Sequence, residues 1–148
     1  MSDATHPTTL IVETTADGEP PLDFLGDTAD LVYFISMAHT ERYGADHPLA
    51  KAAGILKRRL RIPMGPLMNF GDAAPDDAAE EALLERLWQD AAPLAEAARA
   101  TAAAIDANEE LRDLTAAFPE LPERLRELAA IAEWAATQGA RVRMTYLL

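Results

Sequence analysis

The chain has 148 residues, 49% apolar and 26% charged, with 25 acids against 13 bases, 10 prolines, 7 glycines and no cysteine. That composition excludes collagen-like and low-complexity architectures, a disulfide scaffold and thiol chemistry. A formal charge of -12 repels phosphate backbones, and no broad basic face exists to release counterions, which argues against nucleic acid as a partner.

A chain of this size forms one domain, residues 1–148, large enough to stay folded without a metal or a covalent bridge. No apolar run reaches the length of a membrane span. Residues Met1 to Pro7 lack the basic start and apolar centre of a secretory signal, so a cytoplasmic location is expected, with residues 1–8 as a loose tail.

Leu10, Ile11 and Val12 form a β-branched run among threonines and are closed by the turn-rich Asp17-Gly18-Glu19-Pro20-Pro21, which predicts a strand near 9–14. Leu22 to Asp30 is a connection. Leu31 to Ile35 is five consecutive apolar residues with polar ends. Such a run suits a strand covered on both faces, and a central strand is expected over 30–36, with a buried helix as the competing reading. The polar segment 38–44 then becomes a loop at the carboxyl end of that strand.

Asp46 is placed as the N-cap of a helix with Pro48 in its first turn and a buried stripe of Leu49, Ala52, Ala53, Leu56 and Leu60. Lys57, Arg58, Arg59 and Arg61 crowd its last turns, where the helix dipole favours cations and where the chain's own carboxylates are the expected partners. Pro63, Gly65 and Pro66 end it. The segment 62–71 carries Met64, Leu67, Met68 and Phe70 on irregular backbone, either pinned over the core or offered to a partner.

A helical insertion is expected over 72–120. Its first helix follows Pro75, with Leu83, Leu84, Leu87 and Trp88 as the apolar face, and Pro93 forces a restart with Asp90 as the new cap. Leu94, Ala98, Ala102 and Ile105 form a small-residue stripe that invites a close helix neighbour, and Leu111, Leu114 and Phe118 mark a shorter helix. Pro122 opens the last helix, buried through Leu125, Leu128, Ile131, Ala132 and Ala135. Gly139 takes the left-handed position after it. Over 141–147, Val142, Met144 and Tyr146 alternate with Arg141, Arg143 and Thr145, the pattern expected of an edge or terminal strand.

The expected fold is therefore α/β: a small, mainly parallel sheet of about three strands with a helical insertion. An all-α bundle is the alternative. There is no glycine-rich phosphate loop, no Walker lysine, no Glu-x-x-His pair and no His-Glu-x-x-His helix.

If 30–36 is a central strand, the loop after it opens where open α/β folds place ligands. His39, Glu41 and Arg42 are the candidate catalytic residues: His39 carries a proton, Glu41 orients it and Arg42 neutralises an anionic substrate. Ser36, Tyr43, His47 and Glu13 are candidate ligand-binding residues. A metal held by His39, Glu41 and His47 is a variant of this reading, although the spacing matches no standard ligand motif, so metal and cofactor stay unassigned. The plain reading is a solvated loop with His39 bonded to a nearby carbonyl. The expected function is nevertheless that of an interaction protein, a homo-oligomer or the binder of a protein partner, motivated by the alanine stripe, the methionine-bearing segment and more amphipathic helices than a small sheet can cover, with the small-molecule enzyme as the alternative.

Overall fold

In a computed structural model, residues 8–39 and 46–147 are described. The fold is mixed α/β, with seven α-helices and a four-stranded sheet among those residues. The expected tail lies almost wholly outside them, and so does most of the loop 38–44.

The first strand forms where expected, as β1 (Thr9–Thr14). The second does not: residues 29–39 are a helix, α1 (Ala29–His39). Leu31, Val32, Phe34, Ile35 and Ala38 are buried while Tyr33 is 45% exposed. This is a broad apolar stripe at helical spacing, and it is broad because α1 packs against β1 and three other helices. The start was encoded in the preceding connection, where the Asp27 carboxylate accepts the Ala29 N–H at 2.8 Å and the Thr28 carbonyl accepts the Val32 N–H at 3.1 Å.

The next helix, α2 (Pro48–Gly54), is capped by His47 instead of Asp46, its Nδ1 accepting the Leu49 N–H at 3.1 Å. It runs into a π-helical turn, Ile55–Arg59, closed by a 2.9 Å bond from the Leu60 N–H to the Ile55 carbonyl. The wider turn shifts the helical phase, so Leu60, expected in the buried stripe, is 37% exposed. A short helix α3 (Gly65–Met68) and strand β2 (Phe70–Asp72) follow. Met64 and Leu67 are buried in the core, so the methionine-bearing segment is pinned within the chain.

Helix α4 (Ala78–Glu85) starts later than Pro75 suggested, with Asp77 accepting the Glu80 N–H at 2.8 Å, and stops before Leu87 and Trp88. Leu83, expected on its buried face, is 55% exposed. The two-residue strand β3 (Gln89–Asp90) precedes α5 (Ala91–Ala107), which has Asp90 at its N-cap position and Pro93 in its first turn. Asn108 caps α6 (Glu109–Leu114), and α7 (Leu121–Thr137) ends at Gly139, whose φ of 67 is the left-handed turn expected there.

The last strand, β4 (Arg141–Leu147), is central rather than at an edge. It pairs antiparallel with β1 on one side and, on the other, parallel with β2 and antiparallel with β3. The sheet is thus mixed: backbone pairing on both sides leaves no mark in the sequence, and Thr145, expected on the wet face of the strand, is buried. Leu10, Val142 and Met144 join the helical core. The alanine stripe of α5 packs on α7 in the same chain, where the small side chains let the two helices approach. That stripe is therefore covered within the chain itself. Gly71 lies against the Leu87 side chain, where a Cβ would come within 3.1 Å of Leu87 Cδ1.

Candidate functional site

With 30–36 helical, the sheet rim that was to gather the polar loop does not form. Ser36 and His39 sit in the last turns of α1, and His47 caps α2. Glu41, Arg42 and Tyr43 lie outside the described residues. The His39 ring stacks on Phe70, with centroids 5.7 Å apart, and its Nε2 is bonded to the Met68 carbonyl. His47 is spent on its cap and lies 6.3 Å from the Phe118 ring. Both histidines thus hold backbone and packing in place. Lys57 Nζ donates to the Ala38 carbonyl at 2.9 Å, at the carboxyl end of α1, and Arg59 pairs with Glu110 at 2.7 Å. The Arg59–Glu110 pair is of the kind expected of the basic run, whereas Lys57 donates to a backbone carbonyl at the end of a neighbouring helix. Among the described residues, no group of three histidines and carboxylates is arranged to hold a metal ion.

Glu13 belongs to a different constellation. Its carboxylate faces Arg143 across the sheet, Nε donating at 3.0 Å and Nη2 at 3.2 Å. Arg143 Nη1 reaches Glu85 at 3.0 Å, and the guanidinium lies over the Trp88 ring at 4.7 Å from its centroid.

The sheet order β1-β4-β2 leaves the outer edge of β1 without a partner strand among the described residues. The Thr15 N–H donates to the Arg141 carbonyl at 3.0 Å, and Thr9 pairs with Leu147 and Glu13 with Arg143. In an antiparallel ladder this parity turns the peptide groups of residues 9, 11, 13 and 15 toward β4 and those of Leu10, Val12 and Thr14 away from it. The Thr28 hydroxyl accepts the Leu10 N–H at 2.9 Å. The N–H groups of Val12 and Thr14 find no acceptor among the described residues.

They open on a groove of about 960 Å³ between β1 and the segment 16–28, with Ile131 of α7 also in its wall. The segment brings Leu22 and Phe24 to the groove, while Leu25 beside them is 85% exposed. Glu13, Glu19 and Asp23 line it, and no lysine, arginine or histidine does among the described residues, so the groove offers no cation to the small anionic ligand that the sequence suggested. Nothing in the sequence could reveal this site, because an open edge is a property of strand order. The turn-rich segment 17–21 marked only that the chain reverses there.

Asp30, at the start of α1, has its carboxyl pushed up from its ordinary value by burial and by the neighbouring charges of Asp27 and Glu120. Among the described residues no helix is long and apolar enough to cross a membrane. Comparison with known protein families, with curated proteins and with solved structures returns no match for this chain.

Proposed function

We propose that this chain is a partner-binding module that receives an extended segment of another protein as an added strand on β1. The observation that carries this reading is the pair of outward peptide groups at Val12 and Thr14, unpaired and facing a groove. An exposed strand edge is a template for another chain, and proteins normally blunt it with proline, lysine, bulges or a covering element. Here β1, TLIVET, has neither proline nor lysine, and among the described residues the segment beside it satisfies one outward N–H of the edge, that of Leu10, through the Thr28 side-chain hydroxyl. Strand addition draws affinity from main-chain bonds and specificity from pockets for alternate side chains. Leu22, Phe24 and Ile131 supply apolar walls for such pockets.

The test is selection from a displayed library of random peptides, followed by binding measurements against Val12→Pro. Proline at 12 removes an outward N–H while every bond to β4 remains, so the fold, monitored by circular dichroism, is retained. Peptides that bind the parent protein, protect the Val12 and Thr14 amides from exchange and lose affinity for Val12→Pro support the proposal. An empty selection, or peptides that bind Val12→Pro equally well, overturns it.

A further inference from the structure

We infer that the segment added to β1 is basic, with lysine or arginine side chains directed at Glu13, Glu19 and Asp23. This deepens the strand-addition reading and rests on it. The edge of β1 extends over six residues, roughly 20 Å at strand spacing, and the charged side chains that line its groove, Glu13, Glu19 and Asp23, are all acidic, Glu13 being paired with Arg143 from β4. The Glu13 side chain keeps 43% of its surface exposed although it already pairs with Arg143, so it can accept a second cation. Glu19 and Asp23 are exposed on the segment opposite, and neither is in a salt bridge among the described residues.

An incoming strand places alternate side chains on the face that carries Glu13, and cross-strand pairs of opposite charge stabilise while like charges repel. The same argument decides against a second copy of this chain as the occupant. Pairing β1 with its own image would bring Glu13, Glu19 and Asp23 of both copies along one seam, in a protein whose formal charge is already -12. A basic segment meets complementary potential instead, which speeds its encounter and fixes its register.

The experiment uses the displayed peptides that lose binding to Val12→Pro, so that the strand-addition reading already holds for them. They are sequenced and titrated against the parent protein and the double variant Glu19→Lys with Asp23→Lys at two salt concentrations. Enrichment in lysine and arginine, a loss of about tenfold in affinity with the double variant and weaker binding at high salt are expected. Peptides that are neutral or acidic, or whose affinity ignores both the reversal and the salt, overturn the basic assignment while leaving strand addition intact. A dimer in light scattering that Val12→Pro dissolves would make a second copy the occupant and also overturn it. A selection with no peptide sensitive to Val12→Pro defeats the underlying reading, and is distinguishable on that ground.

Discussion

Arg143 and Glu13, 130 positions apart in the chain, are direct partners in the β1–β4 register and meet in a two-pronged ion pair. The guanidinium also bonds Glu85 and covers Trp88, so one side chain ties β1, the central strand and α4 together. No residue of α4 is buried, and this polar clamp, with Leu84 and Leu87 against Gly71, fixes the helix to the sheet. Arg143→Met should cost about 2 kcal/mol of stability, through loss of a partly buried bidentate pair and a cation–π contact. Arg143→Lys should cost about half of that, since the charge stays but the planar fork does not. Chemical denaturation measures both, and faster amide exchange in α4 than elsewhere in Arg143→Met would locate the loss.

Arg124 and Glu127 form a second pair with a different balance. Both side chains are buried on α7, and Nη1 lies 3.0 Å from Oε1, yet among the described residues neither carboxylate oxygen is in hydrogen-bond geometry with a donor. Attraction so poorly supported repays little of the desolvation of two charges. Glu127→Gln, which leaves the arginine buried and uncompensated, should destabilise by about 3 kcal/mol, whereas the double variant Arg124→Met with Glu127→Leu should match or exceed the parent. Urea denaturation of the three proteins checks the order.

Gly139 ends α7 at a φ of 67 with nothing within 4 Å of where a Cβ would stand. Its substitution therefore isolates backbone strain from crowding. Gly139→Ala should lower stability by about 1 kcal/mol, and Gly139→Asn by less, because asparagine tolerates the left-handed region. Thermal unfolding of the two variants should rank them so.

Asp30 gives a pH signature. Its carboxyl titrates above the ordinary 3.8, chiefly because it is partly buried and secondarily because Asp27 and Glu120 are near. A raised carboxyl favours the folded state while protonated, and that contribution is lost as pH rises through the folded value. Asp30→Asn removes the loss, so the variant should gain on the parent protein as pH climbs from below 3.8 toward neutrality. Melting temperatures across that range measure the difference, which should close at the acid end.

What the sequence disclosed and what it hid divide along physical lines. Helix α7, the left-handed Gly139 and strand β4 were legible because capping chemistry, helical period and strand alternation agree over Pro122 to Leu147. Residues 31–35 are ambiguous in sequence because five apolar residues fit either a doubly covered strand or a helix buried on most sides, and Tyr33 alone marks the exposed flank. The phase slip at Ile55–Arg59 and the two-residue β3 leave no pattern long enough to detect. The proposed site was the least visible of all. Of its acidic wall residues, Glu13 stands out in the sequence only as a candidate for a different site, beside the loop after residue 36, and Glu19 and Asp23 read as ordinary turn acids; the order β1-β4-β2 is what leaves one side of β1 unpaired.

The central claim is that the outer edge of β1 is open to an added strand, and amide hydrogen exchange in the free protein tests it most directly. Ile11 and Glu13, bonded to β4, should exchange slowly, while Val12 and Thr14 between them should exchange as fast as exposed turn amides. If Val12 and Thr14 are protected as strongly as Ile11 and Glu13, the edge is already covered and the account is contradicted.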